Sequence, residues 1–310
     1  MLRQALVVLG CVAFWGLANA AQVDTDPFGT GENLFTIKFV TISANPGVTR
    51  STNTSGDSIV TFTAGEGEGD YTDPGYNYRM GVYEITNDQW NNFAASVGLP
   101  VTGEPSSGDL PRTVTWYDAA QFVNWLNTST GRHAAYNFTG TLGEGTFSAW
   151  DPEEAAGGTN LYRHKDAFYY LPTEDEWVKA AYWNGASIQT WATPDDSEPV
   201  AGDDSNYGDP LGEPWPVGSG SEELNGTFDM MGNWWEWMET PDFDTSYGTD
   251  SLRGLRGGSY DNWLGGLASS YRGDVPPTYG EGFRVASVPE PAVLSLLALG
   301  ATAILGRRQR

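Results

Sequence analysis

The 310-residue chain carries 40 acidic and 16 basic side chains, a formal net charge of −24, together with 39 glycines, 18 prolines and 13 tryptophans. Such an acidic surface repels nucleic acid and anionic lipid headgroups and attracts cations, while the aromatic content argues for a packed, loop-rich domain and against a disordered polymer. The single cysteine, Cys11, falls in an N-terminal stretch with charged (Met1-Leu-Arg3), apolar (Ala5 to Leu17) and small-residue (Ala18-Asn-Ala20) parts, read as a secretory signal over residues 1–20 with cleavage after Ala20 or Ala21. The exported protein would then hold no thiol, which excludes disulfides, zinc–thiolate centres and a cysteine nucleophile.

Residues 21–32 are polar, contain Asp-Pro and Gly, and read as a short leader. Phe35 to Ile42 is rich in β-branched and aromatic residues and predicts a strand; Ser58 to Thr63 and Tyr78 to Tyr83 predict two more, separated by Gly/Ser/Thr/Asp-rich loops. Three helices are predicted from their starts, Thr86-x-x-Gln89, Thr115-x-x-Asp118 and Thr173-x-x-Glu176, each a hydroxyl cap three residues before a side-chain acceptor. The apolar positions that follow (Trp90, Phe93 and Val97; Ala119, Phe122, Val123 and Leu126; Trp177, Ala180 and Ala181) have helical spacing and are expected to be core. Residues 128–165 form a long irregular stretch holding both histidines, His133 and His164, read as separate surface or loop residues. The acidic, turn-rich segment 195–213 reads as a solvated face. Leu252 to Tyr260 and Glu281 to Ala286 are strand-like, with arginines able to pair with nearby carboxylates, and Arg272-Gly-Asp274 is too short a match to carry meaning.

The organising stretch is Phe228 to Trp237, where Trp234, Trp235 and Trp237 crowd beside Asp229, Glu236 and Gly232. If it runs extended from Gly232, a period of two sends Gly232, Trp234 and Glu236 to one side and Asn233, Trp235 and Trp237 to the other. The tryptophans are expected to be core in part. Carboxylates beside a dry core need partners or a cation, so either a bound hard cation such as calcium or solvent exposure satisfies Asp229 and Glu236. No Gly-x-Ser-x-Gly elbow is present, and nothing in the spacing of the two histidines builds an iron triad.

At the far end, Val288-Pro-Glu-Pro291, an apolar run from Ala292 to Leu305 and Arg307-Arg-Gln-Arg310 follow in order. The apolar run reaches about 21 Å as a helix, short of a hydrocarbon core of roughly 30 Å. This tail, residues 288–310, resembles the PEP-CTERM sorting signal. The resemblance implies processing by an exosortase, transient anchoring in the inner membrane, and export to the cell surface or exopolysaccharide matrix of a Gram-negative bacterium.

Between the ends, the segments Gly81 to Asn87, Pro111 to Asn127, Leu171 to Trp177, Asp229 to Trp237, Arg256 to Ser259 and Gly282 to Arg284 resemble, in order, the signature segments of the formylglycine-generating enzyme family, the sulfatase-modifying factors. The resemblance implies one α+β domain over residues 33–287, with the C-type-lectin-like fold: short twisted sheets, a few helices and much ordered loop. It also implies a structural calcium ion held by the side chains of Asp229 and Glu236 and the carbonyls of Gly232 and Trp234. A second calcium would involve Asn206 and the next carbonyl, that of Tyr207. The family's catalytic copper needs two cysteines, whose positions fall near Ala268 and Gly273, so no copper is expected here; the iron-dependent branch uses a histidine-rich helical domain that has no counterpart in this sequence. The expected function is a calcium-stabilised, non-catalytic binding or structural module, with an exopolysaccharide or a surface protein as ligand and Tyr136, Phe138, Phe147 and Trp150 as candidate sugar-stacking rings. The alternative is an oxidoreductase or other enzyme of the same family that works from a cysteine-independent site.

Overall fold

A computed structural model of the chain describes residues 23–44, 60–62, 69–71, 73–100, 108–142, 145–241 and 247–289. The secretory and sorting segments lie outside these residues, apart from Val288 and Pro289 at the start of the latter. In chain order come β1 (Val23–Phe28), β2 (Phe35–Ile42), β3 (Val60–Phe62), β4 (Gly69–Tyr71), β5 (Tyr78–Gly81), α1 (Asn87–Val97) and α2 (Trp116–Ser129). They are followed by four short strands, β6 (Asn137–Thr139), β7 (Thr146–Ser148), β8 (Ala155–Ala156) and β9 (Asn160–His164), then β10 (Tyr169–Tyr170) and α3 (Glu174–Tyr182). After a long stretch of turns, β11 (Glu236–Pro241), β12 (Arg253–Arg256), β13 (Gly273–Val275) and β14 (Ala286–Ser287) complete the domain.

The main sheet is antiparallel in the order β1-β2-β5-β14-β10, so the last strand closes the sheet between two earlier ones. A second antiparallel sheet has the order β11-β12-β13. Strand β2 shows why two cores exist: Phe35, Ile37 and Phe39 pack with the apolar faces of α1 and α2, while Val40 and Ile42 pack with α3 and Met80. The strand period of two sends alternate side chains to opposite faces, and full burial of each such side chain contributes about 1.5–3 kcal/mol. Trp116, Trp177 and Trp237 are all fully buried and anchor α2, α3 and β11.

The three helix starts form where the caps predict. Thr86 and Thr173 make reciprocal capping boxes with Gln89 and Glu176, and Gly98 ends α1 in the left-handed region at φ 74°. Thr115 caps the backbone N–H of Asp118 without the return bond, since Asp is a methylene shorter than Glu; its hydroxyl donates to the Asp118 carboxylate instead.

Two expectations are corrected. The stretch 21–32 is more than a leader: β1 pairs in register with β2 from Val23↔Val40 to Phe28↔Phe35 and buries Phe28. Its Asp-Pro is compatible with this because an edge strand can spare an N–H. Glu281 to Ala286 is mostly irregular, entering isolated bridges with Val114 and Glu236 before β14 begins at Ala286. No helix among the described residues is long and apolar enough to cross a membrane.

Candidate functional site

The segment leading into β11 does not run extended from Gly232. Gly232 and Asn233 both have positive φ, 81° and 60°, and the strand alternation begins only at Glu236. A Cβ at Gly232 would lie 2.1 Å from the carbonyl oxygen of Asn206, so glycine is required both for conformation and for close approach. That approach draws Asn206 into the segment: its carbonyl accepts the Asn233 N–H at 2.8 Å, and its Nδ2 donates to the Glu213 carbonyl at 3.1 Å.

Around this turn lie four buried carboxyl groups and one guanidinium. Glu236, fully buried, accepts from Trp177 Nε1 at 2.8 Å and from Arg284 through both of its oxygens. Arg284 also donates to the carbonyl oxygens of Gly81 and Phe228, which ties the segment to β5. Asp229 accepts from Trp215 Nε1 at 2.8 Å and the Gly218 N–H at 2.6 Å, and burial raises its carboxyl above the usual range. Glu84 accepts from Asn233 Nδ2 at 2.7 Å through Oε2 and has no partner at Oε1; burial, with the charges of Asp229 and Glu236, pushes it well up. Glu223 accepts the backbone N–H groups of Met230 and Met231 and is pushed up to about 8 by burial. Asn206 Oδ1 is a further buried acceptor with no partner.

A hard cation suits this donor chemistry: the ligands are oxygens, carboxylates outnumber the guanidinium, and two buried oxygens lack donors. Asp229 and Glu236 are both engaged by N–H groups, yet a carboxylate has about four acceptor positions, so neither is saturated. Among the described residues no three His, Asp or Glu side chains converge as a metal site, so an ion here would depend on backbone carbonyls as well. The resemblance assigns that role to Gly232 and Trp234. The Tyr207 hydroxyl donates to the Pro199 carbonyl at 2.8 Å, while the atom that the resemblance assigns to a second ion is the Tyr207 backbone carbonyl.

Beside the network lies a surface paved with rings. Trp235 packs 5.8 Å from Tyr271, and Tyr271 packs 6.1 Å from Trp263, which is 64 % exposed. On the neighbouring side Trp234 lies 5.7 Å from Tyr260 and donates through Nε1 to Glu281 at 3.1 Å; burial brings that carboxyl up to about 7. Ala268 is nearly buried after a short 3-10 turn, Leu264–Leu267, and a Cβ at Gly273 would meet the Trp235 ring at 3.5 Å. Of the two positions where the family resemblance puts cysteines, Ala268 accepts the Tyr271 N–H at 2.8 Å through its carbonyl and Gly273 lies against the Trp235 ring.

The remaining candidates fall as follows. Tyr136 and Phe147 are buried in the larger core and do not face solvent as sugar-stacking rings; Phe138 and Trp150 are only partly covered. Long loops in a compact domain must bury something to order themselves, and here Tyr136 and Phe147 do it. Arg272 is buried against Glu174, which removes Arg272-Gly-Asp274 as an exposed motif. The histidines are not separate: their rings stack with centroids 3.6 Å apart. Glu84 and Arg284, central to the network, were legible only as members of the signature segments, and Trp215 and Glu223 carried no signal.

The sulfatase-modifying factor enzyme 1-like domain family model matches residues 68–288. Among solved structures, Treponema denticola variable protein 1 is similar over 86 % of this chain and 99 % of its own, at 21 % identity and a TM-score of 0.60. CarF is similar over 82 % and 99 % at 21 % identity and 0.55, and PvdO from Pseudomonas aeruginosa over 85 % and 98 % at 17 % identity and 0.55. No curated protein matches. The fold is the α+β, C-type-lectin-like one of these proteins, and the chain belongs to the sulfatase-modifying factor enzyme 1-like domain family.

Proposed function

We propose that this chain is an exported, calcium-stabilised and non-catalytic binding module on the sulfatase-modifying-factor scaffold. The observation that carries the reading is the ring surface of Trp235, Tyr271 and Trp263 beside Ala268 and Gly273, with no thiol at either position. Copper(I) chemistry there would need soft ligands that Ala and Gly do not supply. Exposed indoles and phenols instead offer large, rigid contact area at small entropic cost. Calcium would rest on Asp229 and Glu236 with the carbonyls of Gly232 and Trp234, and would supply the positive charge that Arg284 alone does not. A second ion would rest on Asn206, whose Oδ1 is buried without a donor, and on the Tyr207 backbone carbonyl. Residues 1–20 would direct export, and residues 288–310 would be recognised by an exosortase, placing the domain at the cell surface or in an exopolysaccharide matrix.

The test is retention of the purified 21–288 protein on the producing organism's extracellular polysaccharide and surface proteins, with calcium and with chelator. Saturable retention that Trp263→Ala removes is the expected result. Absence of retention under both conditions would overturn the binding reading.

A further inference from the structure

The chain contains two histidines, and they stack on each other: His133 and His164 have ring centroids 3.6 Å apart and planes inclined by 11°. They also stand at the two ends of one excursion. The chain leaves at His133, just after α2, builds the ribbons β6–β7 and β8–β9, and returns at His164, the last residue of β9. The backbone closes at the same place, with the His164 N–H donating to the Ala135 carbonyl at 2.8 Å and His133 bridging to Ala167. Trp150, from within the excursion, packs edge-on to His164 at 4.8 Å and near His133 at 5.9 Å, and its Nε1 donates to the Ala135 carbonyl at 2.9 Å.

The hydrogen bonds fix one neutral tautomer for each ring. His133 Nδ1 lies 2.8 Å from the Ala134 carbonyl, which can only accept, so that nitrogen carries the proton. His164 Nδ1 accepts the Asp166 N–H at 3.1 Å, so its proton sits on Nε2. Nearly parallel rings at this distance cannot aim both lone pairs at one ion, which removes a shared metal as the reason for the arrangement. Two neutral imidazoles stack favourably, whereas two imidazolium ions face to face repel at the closest distance the rings allow.

We propose that the His133–His164 stack is an acid-sensitive clasp that holds the base of the 134–163 excursion closed at neutral pH and releases it when both rings become charged. The charged groups near His164 are Asp166, Glu154 and Lys165. The Asp166 carboxylate is exposed and lies 3.9 Å from His164 Nδ1, too far for a hydrogen bond. Arg132, next to His133 in sequence, lies over the Phe168 ring at 3.9 Å. Burial, and then the neighbouring His133, hold His164 below the usual histidine range. A lowered folded-state value means that the neutral form is favoured in the closed state, so the clasp is fully closed above about pH 6.5 and weakens as the pH falls below it. Charging His164 also turns its Nδ1 into a donor facing the Asp166 N–H, which breaks the bond that fixes the ring.

The test uses the full chain with isotope-labelled histidine, so that two ring signals report the two residues directly. In the wild type the His164 signal should titrate below the usual histidine range. In His133→Phe, which keeps a ring and removes the charge, His164 should titrate in one step at higher pH. Proteinase K cleavage between residues 134 and 163, normalised to an unfolded control at each pH, should rise about tenfold from pH 7.5 to 5.0 in the wild type and less than about twofold in His133→Phe. His133→Lys, which places a cation on the stack at every pH, should be cleaved readily at pH 7.5. A His164 titration that does not change in His133→Phe, or equal wild-type cleavage at both pH values, would overturn the clasp.

Discussion

Two buried charge networks meet at α3 and differ in one respect, the balance of sign. At the start of α3, Glu174 pairs with Arg256 and Arg272, while Arg163 pairs with Glu176 and Glu239 at 2.8 and 2.6 Å. Among the described residues three guanidinium groups face three carboxylates there, and each guanidinium has a carboxylate beside it. Beneath the Asp229–Trp237 segment, Glu84, Glu223, Asp229 and Glu236 share, among the described residues, Arg284 alone. The balanced network ties two sheets and a helix together through guanidinium groups that outweigh burial and hold Glu174 and Glu176 below the usual carboxylate range, so it needs no added ion at neutral pH. The unbalanced one must take up protons or a cation to exist, and that makes it the place where solution conditions reach the fold.

The largest expected effect tests the balanced side. Glu174→Ala removes the carboxylate that Arg256 and Arg272 share and leaves these two buried guanidinium groups their carbonyl partners, Ser269 and Tyr271 for the first and Pro241 for the second; it should destabilise the domain by about 3–5 kcal/mol in urea unfolding, with no dependence on calcium. A loss below about 1 kcal/mol would mean that the two arginines find other partners, and the contrast between the networks would fail.

The unbalanced side should respond to calcium. On the calcium reading, an ion at about 100 times its Kd adds roughly 3 kcal/mol to the stability of the wild type, and Asp229→Ala with Glu236→Ala should abolish that increment as well as lower the baseline. Melting temperature with and without chelator measures both, and an intact calcium response in the double variant would sink the assignment. In chelator, the same network should also show its need for protons. Glu84 and Glu223 have folded values raised above their unfolded ones, Glu223 to about 8, so their contribution is fully present below about pH 4.3 and is lost as the pH rises toward 8. Glu223→Gln should flatten that slope; an unchanged slope would show that the carboxyl does not titrate there.

How much of this could be read from the sequence follows from the range of each interaction. The helix starts were legible because a cap is complete within four residues, and Thr86, Thr115 and Thr173 all cap as their spacing predicts. β2 was legible from its own composition. β1 was not, because its polar residues make sense only once β2 lies beside them. At the site, the crowding of tryptophans and carboxylates between Asp229 and Trp237 marked the right segment, while the positive φ of Gly232 and Asn233, set by the packing of Asn206, broke the assumed alternation. The His133–His164 contact spans 31 positions and has no periodic signature, so no local rule could find it.

The smallest stability effect belongs to the ring surface, and it bears most directly on function. Trp263 is 64 % exposed and touches only Tyr271 among the described aromatic rings, so Trp263→Ala should change stability by no more than about 0.5 kcal/mol. Removal of Trp235, which packs against the core, would confuse loss of binding with loss of fold. If Trp263→Ala abolishes retention on the extracellular fraction while leaving the urea midpoint and the calcium response untouched, binding and folding are carried by different regions, the rings and the acidic network. If retention survives in Trp263→Ala but falls with the calcium-site double variant, the network itself orders or forms the ligand surface, and the division between a sensing interior and a binding exterior is wrong.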